Sequence, residues 1–180
     1  DWDRQVGEPL PVYVGVNLSA IQVARDNIAE VVESALKASG LKGNRLTLEL
    51  TESSIVQDPG RAMRVFEALK ALDATVAMDD FGTGYSSLAY LQRLPIDVLK
   101  IDKSFVTGMM RDPDAVAIVR AVLSLADALG MSTTAEGIET VELATTLATL
   151  GCASGQGFYF AKPLEAAAAL EYWKGRRKAA

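Results

Sequence analysis

Short apolar runs rich in β-branched residues alternate along this chain with longer stretches whose apolar positions recur at helical spacing. The runs at residues 12–17, 45–52, 75–81, 97–102, 132–138 and 154–160 read as strands. Between them the periodicity predicts helices over 20–39, 59–72, 86–94, 113–129 and 140–150, with a last helix running from Leu164 towards Gly175. Asp58-Pro59 and Asp112-Pro113 place a capping acid ahead of a proline at the first helical position, a strong start signal. Strands that alternate with helices need crossover connections and therefore pair in parallel. Apolar strands covered by helices then fit an α/β sheet or barrel.

The polar residues sharpen this picture. Each strand candidate is mostly apolar until its C-terminal end, where a chemically capable side chain stands: Asn17, Glu49 with Glu52, Asp79 with Asp80, Lys100, Glu136 and Gln156. In a parallel barrel all six ends face one way. A (β/α)8 barrel gathers its site from several strand ends, whereas a doubly wound sheet concentrates ligands at one crevice. Along LTLELTE, Thr47, Glu49 and Thr51 share one face and Leu46, Leu48 and Leu50 the other, so Glu49 can point into the barrel. Glu52 then points elsewhere and suits the positioning of a neighbouring loop.

The block Met78-Asp79-Asp80-Phe81-Gly82-Thr83-Gly84-Tyr85-Ser86-Ser87 sets two adjacent carboxylates at a strand end before a glycine-spaced loop. Such a pair needs a cation, an Arg or Lys partner, or a proton on one member. In a strand that simply continued, the two would diverge. A bend, which Gly82 and Gly84 permit, is required for them to converge.

Composition narrows the chemistry. The 180 residues are 49% hydrophobic, enough for one core in a single domain. A net charge of -5 gives no general attraction for a nucleic-acid polymer or an anionic membrane. With no histidine, His-based triads and His-containing zinc sites are excluded, which leaves carboxylates, amides and lysine. The single cysteine, Cys152, has no internal disulfide partner and points to a reducing, cytoplasmic setting. No apolar run approaches the roughly 20 residues that span a bilayer, and the first residues lack a signal-peptide pattern. A complete (β/α)8 barrel typically takes about 250 residues, so six units are expected here.

Taken in order, VNLSAIQ, LTLELTES, AMDDFGTGYSSLAYLQRLPIDVLKIDKSFV, TTAEGIET and GQGFYFAKPL resemble the EAL domain family, the phosphodiesterases that hydrolyse the bacterial second messenger cyclic di-GMP in signalling and biofilm control. The resemblance implies an α/β fold, a TIM-type (β/α)8 barrel lacking its first two strands in this chain, with residues 1–180 as the C-terminal three-quarters of the domain. The Glu-Ala-Leu segment and a substrate-holding Arg belong upstream of Asn17 and are not among these residues. The expectation is therefore open sheet edges at 12–17 and 154–160, and weak or no hydrolysis by this chain alone.

By the same resemblance Asn17, Glu49, Asp79 and Asp80 are metal ligands. Asp79 bridges two ions and Asp80 serves the second. Lys100 contacts the attacking water, Glu136 is a metal-site or general-base carboxylate, and Gln156 holds a metal-bound water. Glu52 anchors the loop 81–87, and Glu139 is a supporting acid. The implied cofactors are two Mg²⁺ or Mn²⁺ ions, which suit all-oxygen ligation, and the implied product is linear pGpG. The implied partners are cyclic di-GMP, a second copy of the domain through loop 81–87, and an upstream sensor or GGDEF domain. Three other readings stay open: a non-catalytic cyclic di-GMP receptor, a barrel enzyme using Lys100 as a Schiff base, and a docking scaffold.

Overall fold

The computed structural model of the chain describes residues 2–7, 10, 12–25, 27–52, 58–82 and 91–179. Six strands form one sheet: β1 (Val14–Leu18), β2 (Leu46–Thr51), β3 (Thr75–Phe81), β4 (Val98–Ile101), β5 (Ser132–Ala135) and β6 (Ser154–Gly155). They lie in chain order and every neighbouring pair is parallel. Among the described residues the α-helices are α1 (Trp2–Val6), α2 (Ala20–Val23), α3 (Ile28–Ser39), α4 (Pro59–Ala71), α5 (Lys103–Gly108), α6 (Pro113–Ala128), α7 (Val141–Thr149) and α8 (Ala166–Ala179). The result is six units of a partial (β/α)8 barrel, as the sequence predicts.

Strand parity divides the molecule into two environments. Leu48, Leu50, Val76, Leu99 and Ile101 belong to the buried core, which also takes in Phe66 and Leu69 of α4 and Val119 and Val122 of α6. Each such side chain contributes about 1.5–3 kcal/mol through removal from water. The alternate residues Gly15, Thr47, Glu49, Ala77, Lys100 and Thr134 line the concave side, a cavity of about 700 Å³. This inner face is polar because Thr47, Glu49, Lys100 and Thr134 alternate with the apolar residues of the core face.

Local chemistry sets the element ends. Asp58 and Asp112 cap α4 and α6 by accepting the backbone N–H groups of Arg61 and Asp114, each with proline in the first turn. The predicted helix over 20–39 is two helices. Ser19 and Gln22 close a capping box on α2, and the chain breaks before Ile28. Val23 and Ile28 are both buried, yet five residues apart on one helix they would point about 140° from each other. The break turns both inward.

The strand predicted over 154–160 shortens to Ser154–Gly155. Beyond it the Ile138 N–H donates to the Gln156 carbonyl and the Tyr159 N–H to the Ile138 carbonyl, which folds residues 158–160 into a turn. Of the helix predicted over 86–94, residues 86–90 lie outside the described residues. Helix α5 was not predicted. No described helix is long and apolar enough to cross a membrane.

Candidate active site

Lys100 is the centre of the inner face. It sits in the middle of β4, flanked by Leu99 and Ile101 on the core side, and only 5% of its surface is exposed. Its Nζ lies 2.5 Å from Glu49 Oε2 on β2, 3.0 Å from Asp79 Oδ1 on β3 and 2.5 Å from Glu136 Oε1 just beyond β5. Burial alone would lower the ammonium pKa. Hydrogen bonds to Glu136, Glu49 and Asp79 outweigh it and raise the pKa above the ordinary lysine value. Lys100 is thus held as a cation, the opposite of the neutral amine that a Schiff-base nucleophile needs.

Asp79 and Asp80 do converge, but the bend that allows it falls on Asp80 itself. Its φ is +56°, in the left-handed region, and Gly82 follows at +97°. Aspartate tolerates this backbone better than most residues because its short polar side chain bonds locally. Here the Asp80 N–H donates to Asp79 Oδ1 at 3.1 Å. The β3–β4 register slips between Met78 and Phe81, which takes Asp80 out of strict alternation. One carboxylate oxygen each from Asp79, Asp80 and Glu136 then lies within 4.8 Å of the others.

The crowding shows in the titration of these groups. Asp80 is shifted above the ordinary aspartate range by burial first, then by the negative charges of Asp79 and Asp102, with Lys100 opposing. Glu136 is also shifted up by burial, against the pull of Lys100, while Asp79 and Glu49 push the same way as burial. Both shifts favour a proton, or a cation in its place, on these carboxylates.

The remaining expected residues take different places. Gln156 donates from Nε2 to Glu136 Oε1 at 2.8 Å. Glu52, 3% exposed, accepts the Gly82 N–H at 3.1 Å across the start of the loop that follows β3. Asn17 pairs with Glu49 in the β1–β2 ladder and lines the same cavity. Glu139 stands apart, ion-paired with Lys103 at 2.9 Å beside a second cavity of about 440 Å³ that Glu136 and Gln156 also line. Residues 83–87 of the loop expected at a dimer contact lie outside the described residues.

Two features escaped the sequence reading. Asp102 caps α5 through the Ser104 N–H and adds its charge to the field at Asp80. An acid two residues after the strand lysine and just before Lys-Ser-Phe is a capping signal that could have revealed it. Thr134 and Ser154 share a hydrogen bond of 2.7 Å on the inner face below Glu136, and no sequence spacing announces that pair.

The family model described as "EAL domain" matches residues 1–163. The chain belongs to the EAL domain family. It is 42% identical over 153 residues to the bifunctional diguanylate cyclase/cyclic di-GMP phosphodiesterase MucR of Pseudomonas aeruginosa, covering 85% of this chain and 22% of that protein. The structure of the PaMucR phosphodiesterase in complex with c-di-GMP superposes with a TM-score of 0.88 at 39% identity, over 93% of this chain and 68% of that one. The manganese/cy-diGMP complex of Klebsiella pneumoniae BlrP1 superposes with a TM-score of 0.79 at 30% identity, over 90% of this chain and 41% of that one. This EAL chain spans about a fifth of the length of the curated relatives it matches.

Proposed function

We propose that this chain is the phosphodiester-cleaving part of a cyclic di-GMP phosphodiesterase, opening the cyclic dinucleotide to linear pGpG. The observation that carries the reading is the convergence of Glu49, Asp79 and Glu136 on the Lys100 ammonium, with Asp80 joining Asp79 and Glu136 in one oxygen cluster at the strand ends. Among the described residues, Lys100 alone faces the three carboxylates of Glu49, Asp79 and Glu136, so negative charge predominates there. An all-oxygen donor set of this kind fits Mg²⁺ or Mn²⁺, and the c-di-GMP and manganese complexes of the similar structures support the same ligand and ion class.

Asn17, Glu49, Asp79, Asp80 and Glu136 would hold the two ions. Divalent ions, when bound, supply Lewis-acid charge that neutralises the phosphodiester oxygens during in-line displacement. Lys100 keeps its proton and so offers a fixed positive charge beside the attacking water. Glu136, with its pKa raised, binds a proton more tightly than an ordinary carboxylate and is suited to accept one from that water. Gln156 fixes the orientation of Glu136, Glu52 anchors the loop after β3, and Glu139 supports the neighbouring segment through Lys103. The bifunctional name of the MucR relative supports a GGDEF-type cyclase neighbour in the intact protein; a cytoplasmic setting fits the single cysteine, and a second copy would meet this one through loop 81–87.

The test is hydrolysis of cyclic di-GMP by the intact protein with Mn²⁺ or Mg²⁺. Asp79→Asn should remove most of the turnover and chelator all of it. Full activity of that variant in chelator would overturn the reading.

A further inference from the structure

Gly15 lies in the middle of β1 between Val14 and Val16, where a β-branched residue would serve a strand better. Its backbone is not in the left-handed region, so no turn or strained angle calls for glycine. The reason is space. A side chain begun at Gly15 would collide with Glu49 Oε1 and come within 3.4 Å of Glu49 Cδ. Apart from the chain neighbours of Gly15, no other described atom comes within 4 Å of that position. Gly15 pairs with Thr47 and Asn17 with Glu49, so Glu49 leans back by two ladder positions to lay its carboxylate over Gly15. The other oxygen of that carboxylate, Oε2, is the one 2.5 Å from Lys100.

We infer that Gly15 is a positioning residue for the site: the missing side chain is the seat that holds the Glu49 carboxylate against Lys100. Any larger residue pushes Glu49 off Lys100 and shifts its carboxylate within the cavity it shares with Asn17 and Asp79. The obstacle is the flexible tip of a side chain, not backbone, so the strand itself accommodates alanine. The effect is felt at the site and spares the fold. Its consequence for ion binding rests on the function proposed above; its consequence for the Glu49–Lys100 contact does not.

The experiment compares the chain with its Gly15→Ala variant in three measurements. Thermal unfolding should keep or raise its midpoint, because alanine is the better strand residue. Calorimetric Mn²⁺ affinity should fall about tenfold, the scale of losing a group that orients a ligand. The Lys100 ammonium signal in NMR, slowed in its exchange by the buried ion pair, should broaden or vanish. Glu49→Asp, which shortens the side chain by one methylene, should cost less Mn²⁺ affinity when added to Gly15→Ala than when made in the parent chain, a coupling that general damage to β1 would not produce. Unchanged Mn²⁺ affinity together with an unchanged Lys100 signal in Gly15→Ala would overturn the inference. If the parent chain takes up no Mn²⁺, the ion-binding reading fails, and the Lys100 signal alone decides the role of Gly15.

Discussion

Gln156 donates to Glu136 Oε1 at 2.8 Å, and the Lys100 ammonium contacts the same oxygen at 2.5 Å. One carboxylate oxygen is thus held both from β4 and from the residue that follows β6. Replacing Gln156 with leucine should leave the fold in place and release the rotamer of Glu136. Turnover of cyclic di-GMP is expected to drop about tenfold or more with little change in substrate affinity, as for other residues that orient a metal-site group. Steady-state kinetics separating kcat from KM checks this, and a rise in KM alone would refute it.

Lys100 holds together three acids that are each largely buried. Lys100→Met should destabilise the ion-free protein by about 3–5 kcal/mol, the cost of leaving buried charge uncompensated. Urea unfolding with and without Mn²⁺ provides the measurement. The ion should recover more stability in the variant than in the parent, because it replaces the lost positive charge.

Glu52 fastens Gly82, the first residue after β3. Glu52→Ala removes a charged acceptor from a backbone N–H, a loss of about 1.5–3 kcal/mol. Amide exchange at Gly82 should quicken by at least tenfold, and Mn²⁺ affinity should fall through the displaced Asp80. Hydrogen exchange at Gly82 identical to the parent would contradict this role.

Ion uptake should also follow pH. Asp80 and Glu136 both titrate above their ordinary values of 3.8 and 4.5, so on acidification they take up protons earlier than exposed carboxyls do. A proton competes with the ion for the same oxygens. Mn²⁺ affinity should therefore begin to fall while the pH is still above 4.5.

A second pH effect concerns stability. Arg45 grips Asp3 from Nη1 at 2.5 Å and from Nη2 at 3.2 Å, and the Leu10 N–H adds a third contact at 3.0 Å. The guanidinium first, then the amide, hold the Asp3 carboxyl below its ordinary 3.8. A depressed folded pKa means the stabilisation is complete above the unfolded value and disappears as pH falls through the folded one. Asp3→Asn should therefore be less stable than the parent at neutral pH, and the gap should close only below about pH 4.

The barrel was legible because its signals are repetitive: apolar runs of strand length, capping acids before proline, and a polar residue at every strand end. Glu49 and Glu52 were separable by parity alone, and the structure sends them to the inner face and to Gly82 respectively. What the sequence concealed depends on tertiary contact. Helix α5 has six residues, too few for a periodic pattern to declare itself. The end of β6 is set by hydrogen bonds to Ile138, a residue 16 positions earlier than Ser154. The bend at Asp80 was placed instead on Gly82 and Gly84, since propensity favours glycine at positive φ and only the register slip of β3 reveals the aspartate there.

The order of the strands also bears on how the chain is made. Because β1 to β6 lie side by side in the order in which they are translated, no strand has to be inserted between two that are already paired. In this topology each β/α unit can dock on the edge of the one before it and leave one new edge for the next. Synthesis at roughly 5–20 residues per second gives each unit of this size a second or more to settle before its successor emerges. The topology thus permits assembly in one direction, and the acidic cluster is complete only once Glu136 and Gln156 are in place.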